Sequence, residues 1–340
     1  MSVKKTTSNP FIPEIEKKIA SILKELSLQP EISPQEFIKI TSGIKHRYYS
    51  SCSRENKIYF FYALLKRDEK NKTKFIRELK IAKLLLKNKY VLAEYFPLYI
   101  DSSDLDSQCL WILTENIPSF VLEDKKRAEK SIRSLEKKEI QSLTQIIFDF
   151  NHHFLDSRIE KMIKIDQFKA EQEYKKLLKV LVSLKNNGIV DSQLLRKIQL
   201  FVLDNRRLLN YENKYFVHGD IHLGNIFIYK KGGEVKIKII DWELYHLNNF
   251  AYDIAFFYSR LWRESKLRQT MLSEFLNIIP KGKTSIFKRL FKLNLIYFST
   301  TYGIDSSPLE FNQEELSKRK QWFKKLLLHS VDDFEIYLKI

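Results

Sequence analysis

The 340-residue chain is poor in the residues that interrupt regular structure, with only eight glycines and eight prolines. It has two isolated cysteines, Cys52 and Cys109, without metal-binding spacing. Their number and spacing argue against a disulfide framework or a zinc ribbon, so we expect two small buried hydrophobic residues in a reducing cytoplasm. No apolar run approaches the ~20 residues that cross a bilayer. The first residues lack the apolar core of a secretion signal.

The charge balance of the chain is strongly basic: 59 Lys and Arg against 42 Asp and Glu give a formal net charge of +17. Such a charge attracts nucleic acid, anionic lipid or phosphorylated substrates. However, the basic residues are spread over every predicted helix and mixed with glutamate. We therefore favour a solvated basic surface over a dedicated polyanion site. With 44% apolar residues, an ordered and mainly helical globule is expected.

Apolar spacing separates a strand-rich first third from a mainly helical remainder. The first part is predicted to hold a helix at 13–26, a strand at 37–41, a hairpin around Ser42-Gly43, a strand at 57–66, a helix at 72–87, and strands at 95–100 and 109–114. Helical spacing then recurs at 140–154, 168–184, 194–209, 249–261, 267–279, 285–302 and 313–328. We predict an α+β fold of two lobes, 1–117 and 118–340, with a hinge near Pro118.

The stretch 215–243 concentrates polar residues at the ends of short strands. An apolar strand breaks into a loop at 218–225, which is followed by a glycine-turned hairpin. Asp220, Asn225 and Asp241 thus stand at strand ends, and we expect them to lie close together. Their oxygens suit a hard cation and a hydroxyl group. This is the equipment that phosphoryl transfer requires.

These loop residues also have ordinary explanations. Asp and Asn in loops usually form turns, and two histidines at the spacing of His218 and His222 bind zinc when they lie on a helix. The preceding strand and Gly219 argue against a helix, so we expect His218 to brace the loop by hydrogen bonds. Three Asp or Asn residues combined with a histidine, two glycines and a hairpin favour a functional site over simple turns.

Three motifs in this region resemble one known group of enzymes. They are HGDIHLGN at 218–225, IDWE at 240–243 and YDIA at 252–255. Together they resemble the aminoglycoside phosphotransferase and choline kinase superfamily. Those enzymes have a protein-kinase-like fold and phosphorylate small hydroxyl compounds. The resemblance therefore implies a small antiparallel N-terminal sheet with one helix and a large, mainly helical C-terminal lobe.

Weaker matches in the same order extend the resemblance to residues 37–262. Ser42-Gly43 resembles the nucleotide loop, Leu65-Lys66 the phosphate-binding strand, and Arg77-Glu78 its partner helix. Two departures stand out. Leu223 replaces a common proline, and a single glycine in the nucleotide loop does not secure cradling of phosphate by backbone N–H groups.

The resemblance implies a role for each matching residue of the loop and hairpin. Asp220 is expected to orient the acceptor hydroxyl and accept its proton late, because an ordinary aspartate pKa of ~3.9 is too low to deprotonate an alcohol outright. Asn225 and Asp241 are expected to hold Mg²⁺ through oxygen atoms. His218 completes the expected catalytic group, as the brace of the loop.

The resemblance also implies a set of ATP-binding residues in the first lobe. Lys66 is expected to reach the phosphates, fixed by an ion pair to Glu78. A solvated lysine and a surface glutamate are the ordinary alternatives for this pair. Ser42, Gly43 and Glu115 complete the set of expected nucleotide-binding residues.

The implied activity is transfer of the ATP γ-phosphate to a small-molecule hydroxyl, on choline or ethanolamine, an aminoglycoside or a sugar. A protein kinase is disfavoured because Asp241 is followed by Trp-Glu rather than Phe-Gly and no Ala-Pro-Glu closes an activation segment. A non-catalytic kinase-like binding module is a further alternative, against which the intact Asp220, Asn225, Asp241 and Lys66 argue. Nucleic-acid binding, a third alternative, predicts a steep salt dependence of affinity.

The acceptor itself is not identified by the sequence. One expectation is a cage of aromatic rings around a quaternary ammonium group, and the commoner alternative is that these rings belong to the protein core. The candidate rings are Tyr245, Tyr258, Trp262, Tyr297, Tyr302 and Trp322. Carboxylates for an aminoglycoside are Glu243, Glu264, Glu310, Glu314 and Glu315, which do not form a clear cluster in the sequence.

Overall fold

A computed structural model describes residues 12–41, 45–65, 68–87, 91–117, 135–155, 159, 165, 170–186, 188–211, 214–303 and 313–340. The chain divides into two compact units. One comprises Met1–Ser119 and Lys238–Leu244, and the other comprises Phe120–Ile237 and Tyr245–Ile340. A short later segment that contains Asp241 therefore belongs to the first unit. The predicted lobe boundary after residue 117 stays a prediction.

The first unit is built on a five-stranded antiparallel sheet in the order β1-β2-β3-β5-β4. Its strands are β1 (Gln29–Pro30), β2 (Arg47–Arg54), β3 (Lys57–Leu64), β4 (Tyr99–Ser102) and β5 (Trp111–Glu115). Its helices are α1 (Ile12–Glu25), α2 (Pro34–Ile40) and α3 (Glu69–Lys87). Strands β2 and β3 form a hairpin whose turn, Glu55-Asn56, has φ values of 50° and 60°. Positive φ at both central residues is typical of the tight turn that matches strand twist.

The core of this unit joins α1 to the sheet. Ile15, Ile19 and Leu23 recur every four residues, so they share one face of α1, and all three are buried. They belong to one apolar cluster with Tyr48 of β2 and Phe61 of β3. Both cysteines are buried and unbridged, as predicted.

The strand predicted at residues 37–41 is wrong, since residues Pro34–Ile40 form helix α2. The Ser33 side chain accepts a hydrogen bond from Glu36 N at 3.2 Å, and Pro34 occupies the first turn. These signals start a helix, and they outweigh the β-favouring residues that follow. Phe37 of α2 then packs edge-on against Tyr48 at 5.3 Å between ring centroids. The hairpin predicted around Ser42-Gly43 lies outside the described residues.

Other strand and helix boundaries also shift. The strand predicted at 95–100 starts only at Tyr99, because Val91–Tyr95 form a 3₁₀ helix. The helix predicted at 194–209 is two helices, because the first ends at Asp204. There Asn205 donates its side-chain amide to Phe201 O at 2.7 Å and breaks the regular pattern.

The second unit is mainly helical. Its helices are α4 (Lys137–His153), α5 (Ala170–Asn186), α6 (Ser192–Asp204), α7 (Arg206–Tyr211), α8 (Tyr252–Arg260), α9 (Ser265–Ile278), α10 (Thr284–Phe298) and α11 (Gln313–Leu328). Strand β6 (Tyr215–Val217) pairs antiparallel with β9 (His246–Asn248). The predicted hairpin is present as β7 (Ile226–Lys231) and β8 (Glu234–Ile239).

The predicted α+β class, a small antiparallel sheet followed by a mainly helical remainder, is confirmed. Within the described part of the chain, no helix is both long and apolar enough to cross a membrane.

Candidate active site

The loop at residues 218–225, called the catalytic loop below, is held at its start by one buried carboxylate. His218 N donates to Asp253 Oδ2 at 2.8 Å, and Gly219 N donates to Asp253 Oδ1 at 3.1 Å. Gly219 takes a φ of 85°, which glycine adopts without steric cost. Asn151 of α4 also donates to Asp253 Oδ2, at 3.3 Å. Asp253, in the first turn of α8, thus fixes the direction in which the loop leaves β6.

The environment of Asp253 alters its acidity. Burial raises the pKa of Asp253 from its ordinary value of 3.8 to about 6, against the opposing hydrogen bonds from His218, Gly219 and Asn151. The nearby charge of Asp220 also raises this pKa. At neutral pH Asp253 is therefore mainly ionised, which is the form that accepts the two backbone hydrogen bonds best.

The middle of the catalytic loop orients Asp220 and Asn225. Asp220 N donates to His218 Nδ1 at 3.2 Å, and Asn225 Nδ2 donates to Asp220 O at 2.9 Å. Because the amide nitrogen of Asn225 is engaged in this way, its side-chain oxygen is the atom left to bind a cation. The Asp220 side chain is 28% exposed, and His222 Nε2 lies 3.8 Å from its Oδ2. The loop thus presents a carboxylate that solvent can reach beside a buried amide.

In the first unit, Glu78 of α3 lies between two donors. The Tyr62 hydroxyl of β3 donates to Glu78 Oε1 at 3.0 Å, and Arg47 Nη1 of β2 donates to Glu78 Oε2 at 3.0 Å. The Glu78 side chain is only 5% exposed. Burial raises the pKa of Glu78, while Arg47 and Tyr62 oppose that effect. The predicted partner of Glu78, Lys66, lies outside the described residues.

Arg47 connects Glu78 to the segment that contains Asp241. Its Nη1 lies 3.5 Å from Asp241 Oδ1, and its Nη2 pairs with Glu243 Oε2. Lys74 of α3 binds the other oxygen of Glu243 at 2.9 Å. Burial alone would lower the pKa of Arg47, but the carboxylates of Glu78, Glu243 and Asp241 raise it above its ordinary value. Asp241 has a φ of 64°, a left-handed conformation that non-glycine residues adopt rarely and that is often found at functional sites.

The residues around Asp241 are anchored firmly within the first unit. Trp242 is fully buried, donates its indole N–H to Ile239 O at 2.9 Å, and stacks on Phe96 at 4.5 Å between ring centroids. Lys238 donates to Phe96 O at 2.7 Å and pairs with Glu115 Oε1 at 3.0 Å. The Glu115 carboxylate is thus engaged in holding this segment, and its nucleotide-binding role stays a prediction.

Apart from Glu115, the predicted site residues fall into three groups. The catalytic loop of the second unit brings together His218, Asp220 and Asn225. In the first unit, Glu78 and Asp241 share the guanidinium of Arg47. Ser42, Gly43 and Lys66 lie outside the described residues. The convergence of Asp220, Asn225 and Asp241 stays a prediction.

Sequence reasoning missed Arg47, Tyr62 and Asn151. A residue with a polar group between two buried apolar neighbours, Phe61 and Ala63, was the available signal for Tyr62. Arg47 carried no such signal, because its partner Glu243 lies 196 residues away in the sequence.

The aromatic residues considered for the acceptor are largely engaged within the protein. Tyr245, Tyr258 and Trp322 are buried in the core, where Tyr258 donates to Tyr337 O and Trp322 to Ser259 O. The Trp262 ring faces Arg263 at 4.3 Å, and the Trp322 ring faces Arg268 at 4.0 Å. Tyr297 is half-buried, and the Tyr302 side chain is outside the described part. The three buried rings, Tyr245, Tyr258 and Trp322, are therefore not a ready cage for an external cation.

Several of the glutamates considered for binding an aminoglycoside form ion pairs with Arg or Lys side chains. Glu243 binds Arg47 and Lys74, Glu314 binds Lys318 at 2.6 Å, and Glu315 pairs with Arg263. Glu310 lies outside the described residues. Within the described ranges, no group of three or more His, Cys, Asp or Glu residues is placed to hold a metal ion alone.

A comparison with protein families finds one match. Residues 158–275 match the family model described as the phosphotransferase enzyme family, APH. The matched segment contains the catalytic loop, Asp241 and Asp253. Over this segment, the match confirms the predicted resemblance to the phosphotransferase enzyme family. The matched segment is thus similar to phosphotransferase enzymes. No curated protein sequence matches the chain significantly.

Several solved structures are similar to this chain at low sequence identity. The GDP complex of wild-type aminoglycoside 2'-phosphotransferase-IIIa is 9% identical with a TM-score of 0.51, and the match covers 86% of this chain and 96% of that one. Choline kinase LicA from Streptococcus pneumoniae is 17% identical (TM-score 0.49, 92% and 99% covered). An amicoumacin kinase in complex with AMP-PNP, Ca²⁺ and Ami is 12% identical (TM-score 0.49, 95% and 98% covered). At 9% identity, the similarity to the aminoglycoside phosphotransferase shows a shared kinase-like phosphotransferase fold and nothing more.

Proposed function

We propose that this protein transfers the γ-phosphate of ATP to a hydroxyl group of a small molecule. The observation that carries the proposal is the catalytic loop. Buried Asp253 binds the loop backbone at His218 and Gly219. The Asp220 side chain is accessible to solvent, and the side-chain oxygen of Asn225 can bind a cation. Phosphoryl transfer depends mainly on positioning and charge rather than on covalent chemistry, so a rigid loop of this kind suits it.

Asp220 is proposed to accept a hydrogen bond from the acceptor hydroxyl. The hydroxyl oxygen bonds to the γ-phosphorus as the bond to the ADP oxygen breaks, and the hydroxyl proton passes to Asp220 late in the step. His218 and Asp253 hold the backbone that carries Asp220. Their proposed role is positioning, because both side chains are buried.

The residues present fit a magnesium ion that is bound together with a nucleotide. Mg²⁺ takes oxygen ligands and is usually held by one or two carboxylates plus substrate phosphates. Asn225 Oδ1 and the Asp241 carboxylate, which is 35% exposed, are the proposed protein ligands. The ion would neutralise charge on the phosphate oxygens. Two protein oxygens and a nucleotide suffice, so a protein-only cluster of three ligands is not required.

The proposed acceptor is a small amino-alcohol, an aminoglycoside or a sugar. The pairing of Glu314 with Lys318 and of Glu315 with Arg263 weighs against a strongly cationic acceptor at that surface. A cytoplasmic location is part of the proposal, supported by two buried cysteines that form no disulfide.

A panel of acceptors tests the proposal. Purified protein is incubated with Mg·ATP and choline, ethanolamine, aminoglycosides, sugars or homoserine, and ADP release and phosphorylated product are both measured. We expect one class to stimulate ADP release and to yield product in equal amount. Nucleotide binding without product in any arm would favour the non-catalytic binding module. Absence of nucleotide binding would overturn the proposal.

A further inference from the structure

The catalytic loop contains a second histidine, His222, beside the carboxylate of Asp220. Resting on the proposed function, we propose that His222 is a positioning residue for Asp220: its Nε2–H donates to Asp220 Oδ2, which leaves Oδ1 for the hydroxyl group of the acceptor. The two histidines of the loop differ in exposure. His218 is buried and braces the backbone, whereas the His222 side chain is 36% exposed, next to the 28% exposed side chain of Asp220.

A backbone hydrogen bond assigns the nitrogen of His222 that carries the proton. Gly224 N donates to His222 Nδ1 at 3.0 Å, so Nδ1 is an acceptor and holds no hydrogen. The proton of a neutral imidazole is then on Nε2. The same bond makes His222 the N-cap residue of the 3₁₀ turn Leu223–Asn225. The nitrogen that caps the turn is therefore separate from the nitrogen that can donate to Asp220.

Glycine at position 224 makes room for the His222 ring. A Cβ atom on residue 224 would lie 2.9 Å from His222 Cε1 and 3.1 Å from His222 Nδ1, closer than side-chain atoms normally approach. The φ of Gly224 is not positive, so its backbone conformation alone does not require glycine. The close approach of the ring is thus the physical reason for glycine at this position.

The donor nitrogen lies beside the proposed proton acceptor. His222 Nε2 is 3.8 Å from Asp220 Oδ2, longer than the ~3 Å of a hydrogen bond, and small side-chain rotations close the difference. Hydrogen bonds at catalytic sites often reach their working length only when substrate binds. A donor on Oδ2 fixes the plane of the carboxylate, so that Oδ1 is oriented toward the hydroxyl. The hydroxyl proton still passes to Asp220, and His222 keeps its own proton.

Two substitutions separate the donor of His222 from its capping bond. Asparagine keeps an oxygen that can accept from Gly224 N, as in an Asx turn, but its amide is too short to replace the Nε2 donor. Glutamine carries an amide N–H as far out as Nε2 but loses the capping acceptor. We expect His222→Asn to keep the urea midpoint of wild type and to lower kcat by ~10–100-fold, the range for loss of one hydrogen bond to a charged group. His222→Gln should retain a higher kcat and be less stable.

The variants are assayed with Mg·ATP and the member of the acceptor panel that yields the most product. The dissociation constant of Mg·ATP should equal that of wild type, because His222 acts on Asp220 rather than on the nucleotide. Gly224→Ala, which displaces the ring, should lower kcat as His222→Asn does. His329→Asn is the matched control and should keep the wild-type kcat, since His329 Nδ1 lies 2.7 Å from Asp332 Oδ2 outside the catalytic loop.

A double variant tests whether His222 acts through Asp220. In the Asp220→Asn background, His222→Asn should cause no further loss of kcat, because residues that act as a unit are not additive. An independent further loss in that background would overturn the inference. So would a wild-type kcat of His222→Asn, a kcat of His222→Asn above that of His222→Gln, or a loss confined to Mg·ATP affinity.

These outcomes are distinguishable from failure of the proposed function. In each of them, transfer of phosphate to an acceptor by the wild type leaves the proposed function intact. If the wild type phosphorylates no member of the panel, both proposals fail.

Discussion

Replacing Asp253 by asparagine changes how stability depends on pH. The folded protein holds a proton on Asp253 up to a pH of about 6, whereas the unfolded chain releases it near its ordinary pKa of 3.8. The stability from this proton is therefore complete below pH 3.8 and is lost as the pH rises to about 6. At 1.36 kcal/mol per pKa unit, the loss amounts to about 3 kcal/mol.

Asparagine does not titrate, so the comparison isolates this group. We expect the free energy of unfolding of wild type minus that of Asp253→Asn to fall by about 3 kcal/mol between pH 3 and pH 7. Urea unfolding followed by tryptophan fluorescence at half-unit pH steps measures it. A flat difference for Asp253→Asn would refute the view of Asp253 as a buried, titrating brace.

Three further changes test separate parts of the site. Asp241→Ala should abolish the dependence of ATP affinity on Mg²⁺. Titrating the variant with ATP in the presence and absence of Mg²⁺ measures this, and an unaltered dependence would contradict the prediction. Gly219→Ala should cost about 1–2 kcal/mol of stability because its φ of 85° is strained for alanine; an unchanged unfolding midpoint would contradict this. Trp242→Phe should lower stability by about 1–2 kcal/mol through the lost hydrogen bond to Ile239 O, and equal urea midpoints would count against it.

Local signals predicted the helices and the catalytic loop well. Helix α11, for example, has the predicted bounds Gln313–Leu328, because its apolar residues recur at helical spacing. The hairpin after the loop is also present, because adjacent glycines in left-handed conformation turn it. At residues 37–41 two local signals conflicted. The N-cap Ser33 and Pro34 in the first turn favour a helix, and the apolar pattern of these residues alone does not predict it.

Contacts between distant parts of the chain were beyond prediction. The pairing of β6 with β9 joins residues about thirty positions apart, and three-residue strands carry little pattern. The placement of Lys238–Leu244 in the first unit depends on Trp242 stacking against Phe96. The ion pairs of Arg47 depend on the same placement, because Asp241 and Glu243 both lie on the returning segment. A motif search identifies the residues of a site but not which cation the fold brings to them.

The most direct test of the central claim compares phosphoryl transfer by wild type and Asp220→Asn. Transfer of labelled γ-phosphate from Mg·ATP to the acceptor found in the panel is measured together with the dissociation constant of Mg·ATP. We predict that kcat falls by ~10²–10⁴ while Mg·ATP affinity stays at the wild-type value, because Asp220 acts on the hydroxyl rather than on the nucleotide. Turnover retained at the wild-type rate would contradict the assignment of Asp220 and, with it, the mechanism.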